Sequence, residues 1–275
     1  MSKHCPVAWC PQFKPIIGML HAPPLPGSHR FGRDWAGVVE SVLGDAQKLV
    51  EGGLHALLLE NFGDAPFYPG RVPPETVAHM TRLATEVRAA FDVPLGINVL
   101  RNDAMSGLAI AAAVGAAFIR VNVLAGARVT DQGLIQGSAH DVLRARRNLH
   151  AEHIDILADV DVKHSAPLAD RPIEEEAFEL VHRAGAGALI VSGPATGQIP
   201  RVADLQRVRA ALRNTPVFIG SGTNAETLAE MLPRVDGLII GTALKQDGDP
   251  TRSVDPDRVC DFMHAIDAWQ VNAQN

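Results

Sequence analysis

The sequence predicts a single (β/α)8 TIM barrel of the α/β class, and three observations carry that prediction. Short apolar runs recur eight times along 275 residues, each followed by an amphipathic stretch. Most of these runs are apolar on both alternations, as strands covered on both faces must be. The links from helix to strand are short and marked by glycine, whereas those from strand to helix are long and irregular. That asymmetry sorts the two kinds of loop onto opposite ends, as in a barrel. The main competitor, an open doubly wound sheet, needs a G-x-G-x-x-G turn directly after its first strand. Here that strand runs into His21-Ala-Pro-Pro-Leu-Pro-Gly27 instead.

The predicted strands are 15–20, 54–60, 94–100, 116–123, 154–162, 187–193, 216–220 and 237–241. After the first, Val38, Val42, Ala46 and Leu49 repeat at three- and four-residue spacing and form one stripe of a helix beginning near Trp35. After the second, Val77, Met80, Ala84, Val87 and Phe91 do the same from Pro73 onward. Pro172 with Glu174, Glu175 and Glu176 opens a further helix, because proline suits the first turn and carboxylates suit the positive helix end. Val202, Leu205, Val208 and Leu212 mark the next helix, and Thr223-Asn-Ala-Glu226 reads as a capping box ahead of Leu228. In EGGLHALLL, AVGAAFIRV and RAGAGALIV, a glycine ends the helix in the left-handed conformation and a strand starts at once. Of the long loops, the proline-rich one after strand one reads as a rigid pocket wall. Gly126 to Gly137 reads as a flexible lid, and Ser192 to Gly197 either lines the substrate side or merely turns the chain. No composition break divides the chain, so residues 13–271 are expected to form one domain behind an N-terminal extension, 1–12.

With 47% hydrophobic and 20% charged residues the chain has the content of a packed core, not of a disordered protein. A net charge of −6 argues against a broad nucleic-acid or anionic-membrane face, though not against a local phosphate site. The three cysteines, Cys5, Cys10 and Cys260, are too few for a disulfide scaffold and read as reduced thiols. The start of the chain lacks an apolar signal region, and the longest apolar run, Leu108 to Ile119, is too short to cross a bilayer. A cytoplasmic protein without an integral membrane segment is expected.

Polar residues concentrate where the strands end. Gly220-Ser221-Gly222-Thr223 follows strand seven, and Gly241-Thr242-Ala-Leu-Lys245 follows strand eight. Glycines let backbone N–H groups approach an anion, and barrel phosphate sites lie at these two loops. Asp159, Asp161 and Lys163 share one face by the period of two and are expected to be catalytic together with Glu60. His21, Asn98, Arg120, Asn122 and Ser192 complete a polar ring that would bind substrate. The neighbouring aspartates are expected to raise the pKa of Lys163, which favours a clamp on an anion over a Schiff base. No cofactor is predicted. Asp159, Asp161 and Glu60 leave room for a hard divalent ion, although no dedicated metal motif appears.

These stretches also resemble a known family. PIIGMLHAPPLPGS, LLLENFGDAPFY, IRVNVLAGARVTDQGLIQG, ADVDVKHS, SGPATG, IGSGTNAE and IIGTALK occur in order over residues 13–270 and are similar to the BtpA/SgcQ family. The resemblance implies a barrel of the ribulose-phosphate-binding type, with functional positions at the residues just named from His21 to Lys163 and at the 220–223 and 241–242 loops. The family takes its name from a role in photosystem I biogenesis in cyanobacteria, and other members resemble components of sugar or nucleoside metabolism. The expectation is an enzyme acting on a small phosphorylated sugar- or nucleoside-derived metabolite by glycosidic cleavage, isomerisation or lysis. The alternative is a non-catalytic assembly or stability factor. A symmetric homo-oligomer is expected for a barrel of this size.

Overall fold

A computed structural model of the chain describes residues 14–193 and 198–274. The expected N-terminal extension, with Cys5 and Cys10, and positions 194–197 of the loop after strand six lie outside the described residues. The strands are β1 (Ile16–His21), β2 (Ala56–Glu60), β3 (Leu95–Asn98), β4 (Phe118–Val121), β5 (Ala127–Thr130), β6 (Gly133–Gln136), β7 (Asp155–Asp159), β8 (Ser165–Pro167), β9 (Ala188–Val191), β10 (Val217–Ile219) and β11 (Gly237–Ile240). The helices are α1 (Trp35–Glu51), α2 (Pro74–Ala90), α3 (Ala104–Val114), α4 (Ala139–Asn148), α5 (Ile173–His182), α6 (Val202–Ala211), α7 (Ala225–Met231) and α8 (Pro256–Gln274).

Eight parallel strands close into a barrel in the order β1-β2-β3-β4-β7-β9-β10-β11, and β11 pairs with β1. Each of the eight predicted strands is one of these. Their double-sided apolarity has a direct structural cause. One alternation, with Ile17, Met19, Leu58, Phe118, Leu157 and Ile190, fills the barrel interior. The other, with Ile16, Leu57, Ile119 and Leu189, packs outward against the helices. The interior has no room to spare at Gly96, where a Cβ would stand 2.1 Å from the Phe118 ring. Gly53, Gly115 and Gly185 have positive φ between helix and strand, as read from the sequence.

Two local expectations are corrected. The capping box of α7 is Asn224 with Thr227, one residue later than Thr223–Glu226. Asn224 has the extended backbone of an N-cap, and Thr223 is drawn into the barrel mouth, where it is buried. The second correction concerns Gly126 to Gly137. This segment is an ordered hairpin, β5 and β6, and β8 joins it in a three-stranded antiparallel sheet. Ile135 beneath it packs with Val123 and Val162, and Arg128 ties it to Asp161 at 2.8 Å, to the Val160 carbonyl at 3.0 Å and to Glu176 of α5.

Candidate active site

On every barrel strand, the position two beyond an inward-facing residue of the core stands at the barrel mouth. Those eight positions are His21, Glu60, Asn98, Arg120, Asp159, Ser192, Gly220 and Gly241, one from each barrel strand or the residue just after it. Strand register sets some of them side by side: His21 is opposite Glu60, and Glu60 is opposite Asn98. Above them opens a cavity of about 930 Å³. One wall holds His21, Glu60, Arg101, Arg120, Asn122 and Lys163, and the other is built from the 220–224 and 241–243 loops.

The polar layer divides into a closed part and an open part. In the closed part the Arg120 guanidinium donates to Asp159 at 3.0 and 3.3 Å, and the Asn122 amide donates to the same carboxylate at 2.7 Å. Asn98 donates to the Arg120 carbonyl at 3.1 Å and to the Asn122 side-chain oxygen at 3.2 Å. Asp159 therefore lies beneath the cavity and positions Arg120, and Asn98 supports them from behind. Burial lowers the Arg120 pKa, but Asp159 and Glu60 more than offset it, so the guanidinium is held charged.

The open part centres on Glu60. Its side chain is buried and makes no hydrogen bond among the described residues. Burial pushes its pKa above the ordinary carboxylate value, against the pull of Arg120, Lys163 and Arg101. His21 stacks on Phe62 with ring centroids 4.4 Å apart, and its Nδ1 meets the Pro250 carbonyl at 3.1 Å. A carbonyl can only accept, so Nδ1 carries the proton and Nε2 keeps a lone pair. Burial, then the Lys245 charge, press the His21 pKa down to about 3, so the ring is neutral at ordinary pH.

The shared face read for Asp159, Asp161 and Lys163 does not exist. β7 stops at Asp159, and beyond it the chain no longer alternates. Asp161 turns outward to Arg128, with its side chain 55% exposed, and does not line the cavity. Lys163 does line it, but its pKa moves the opposite way from the expectation, down to about 8, because burial and the Arg120 charge outweigh Glu60 and Asp159. The carboxylates considered for a divalent ion are not gathered, and no group of three or more metal-type side chains is found among the described residues.

The facing wall is rich in unused donors. The backbone N–H groups of Ser221, Gly222, Thr223, Thr242 and Ala243 have no acceptor among the described residues. The Thr223 hydroxyl, in the cavity lining, and the Ser192 hydroxyl, below it against Gly220, are buried without partners among the described residues. Gly222 has φ +84, and a Cβ there would stand 2.1 Å from the Gln198 backbone.

Two features were missed in the sequence. Arg101 enters the cavity wall from the turn after β3 and donates to the Lys163 carbonyl at 2.5 Å. The only signal was a charged residue directly after an apolar run. Lys245 is buried and pairs with Asp45 of α1 at 2.5 Å, a partner 200 residues away that no local pattern reveals.

Fold and cavity together define a (β/α)8 barrel with its polar constellation at the C-terminal ends of the strands. Solved structures share that fold. Phosphoribosyl anthranilate isomerase from Thermus thermophilus is 13% identical with a TM-score of 0.56, covering 92% of this chain and 98% of its own. A tryptophan synthase from M. tuberculosis is 18% identical with a TM-score of 0.58, covering 94% and 93%. The chain itself belongs to the BtpA family, which it matches over residues 12–268. It is 44% identical over 252 residues to the Photosystem I biogenesis protein BtpA of Synechocystis sp., covering 92% of this chain and 88% of that one. It is also 43% identical over 245 residues to an uncharacterized protein of Thermococcus kodakarensis, covering 89% and 92%. No helix among the described residues is long and apolar enough to cross a membrane.

Proposed function

We propose that this chain is an enzyme acting on a small phosphorylated metabolite of sugar or nucleoside type at the barrel mouth. One observation carries the reading. A buried carboxyl without a hydrogen-bond partner among the described residues, Glu60, shares a cavity with Arg101, Arg120 and Lys163, whose charges act on it, and with a wall of unused N–H donors. Unsatisfied buried groups cost stability, and they persist where a ligand completes them. Phosphate oxygens would accept from the N–H groups of Ser221, Gly222 and Thr242 and from the Thr223 hydroxyl. Arg120 and Arg101 would neutralise developing charge, and Asn122 and His21 would orient the substrate. Glu60, with a raised pKa, would carry the proton that glycosidic cleavage, isomerisation and lysis all require.

Thermal unfolding across sugar and nucleoside phosphates, beside their unphosphorylated partners, tests this. A true ligand at about a hundred times its Kd adds about 2.7 kcal/mol. Stabilisation confined to phosphorylated compounds is expected, followed by turnover of one of them. Equal shifts with and without phosphate, or none at all, count against the reading.

The competing reading is an assembly or stability factor. The name of the Synechocystis relative favours it, as does the exposed apolar pair Val129 and Leu134, which lie opposite each other on β5 and β6. That reading predicts that Glu60→Gln leaves the biological role intact. A homo-oligomer belongs to the enzyme proposal, and sedimentation equilibrium checks it.

A further inference from the structure

The described residues contain four lysines, and three have their amines engaged. Lys14 donates to the carbonyls of Leu232 and Val235 at 2.6 and 2.5 Å. Lys48 donates to the Val254 carbonyl at 3.0 Å, and Lys245 is held by Asp45 at 2.5 Å. The Lys163 amine makes no hydrogen bond or ion pair among the described residues, yet it lines the same cavity as Glu60 and the N–H-rich wall. Its backbone is pinned, because Arg101 donates to the Lys163 carbonyl at 2.5 Å. The aspartates that sequence placed beside it are occupied elsewhere, Asp159 by Arg120 and Asn122 and Asp161 by Arg128.

We propose that Lys163 is a nucleophile that captures a carbonyl carbon of the substrate as an imine. The proposal rests on reading the cavity as a phosphorylated-metabolite site, and within that class it selects phosphorylated aldehydes and ketones. The neutral amine adds its lone pair to the carbonyl carbon, forming the C–N bond, and one amine proton passes to the former carbonyl oxygen. Glu60 in its acid form gives a second proton to the resulting hydroxyl, which leaves as water while the nitrogen lone pair closes the C=N bond. The product is a protonated imine beside the Glu60 carboxylate, with every proton accounted for. Such an imine draws electrons from the adjacent C–C or C–H bond, which narrows the chemistry to lysis or isomerisation. Hydrolysis returns the free amine.

The surroundings supply the neutral amine that this chemistry needs. With its pKa lowered to about 8 by burial and Arg120, Lys163 is neutral in about one molecule in ten at pH 7, against about one in three thousand for an ordinary lysine. A lower pKa also weakens the nucleophile, so only part of that ratio reaches the rate.

The test treats the full chain with pyridoxal phosphate, a phosphate-bearing aldehyde, then with borohydride, and maps all five lysines by peptide mass. Lys163 is expected to be labelled at least about tenfold faster than the other lysines at pH 7. Its rate should level off above about pH 8. 5-Deoxypyridoxal, which lacks the phosphate and cannot close an internal hemiacetal, should label it about tenfold more slowly, the loss of roughly one anchoring interaction. Equal labelling of Lys163 by both aldehydes would keep the nucleophile and overturn the phosphate site. Thermal stabilisation by pyridoxal phosphate without label at Lys163 would overturn the nucleophile and leave the phosphate site standing. Neither stabilisation nor label would overturn both.

Discussion

Lys245 and Lys163 line the same cavity, and their surroundings differ in kind. Lys245 is 1% exposed and clasped by Asp45, whose second oxygen accepts from the Val254 backbone at 2.7 Å. That pair joins α1 to the C-terminal segment and is satisfied from both ends. Lys163 and Glu60 face the cavity with no such closure, and burial shifts each toward its neutral form. A satisfied buried ion pair is a structural joint. An unsatisfied acid and amine weaken the fold and are explained by what they do to a ligand.

The comparison can be broken most forcefully at the structural pair. Asp45→Ala strands the Lys245 charge and is expected to cost about 3–5 kcal/mol in urea unfolding. A loss no larger than a surface mutation would dissolve the distinction between the two lysines. Next in size is Gly222→Ala on the donor wall, where a positive φ and the close Gln198 backbone predict a cost of about 1–3 kcal/mol. The same substitution should abolish stabilisation by phosphorylated compounds, which calorimetry would show.

A smaller effect sharpens the open region through pH. His21 has a folded pKa of about 3 against an ordinary 6.5, so the unfolded chain binds the extra proton between those values. Its share of stability is complete above pH 6.5 and is lost as pH falls toward 3. In His21→Gln the acid limb of a Tm-against-pH profile should be shallower than in the parent, and an identical limb would refute the assignment of a neutral ring. Smaller still is Thr223→Val. Its hydroxyl has no partner among the described residues, so stability should change by less than about 0.5 kcal/mol. Phosphate-ligand affinity should fall by about 1 kcal/mol, readable by titration calorimetry.

What could be read from sequence, and what could not, follows the same physics. Parallel strands buried on both faces must be apolar, so all eight barrel strands stood out. Against that background inward polar residues such as Glu60 and Arg120 were conspicuous, because each interrupts an otherwise apolar alternation. Asp161 was misplaced because a period of two holds only while the chain stays extended, and β7 ends two residues earlier. The β5-β6-β8 sheet was missed because its strands are three or four residues long and mostly exposed. The Lys163 shift was given the wrong sign because sequence shows adjacent charges but not burial, nor that Arg120 arrives from β4 and Arg101 from the turn after β3. The Asp45–Lys245 joint spans 200 residues and belongs to tertiary structure alone.

The division between a structural and a chemical region is tested most directly by urea unfolding of Glu60→Gln at neutral pH. The folded-state pKa of Glu60 is raised, so burial of its ionised form penalises the fold increasingly as pH climbs past the ordinary carboxylate value. Removing the ionisable group removes that penalty. The variant should be as stable as the parent or more so, with an unchanged m-value. A loss of about 2 kcal/mol or more would place Glu60 among the residues that hold the barrel together, and would contradict the account.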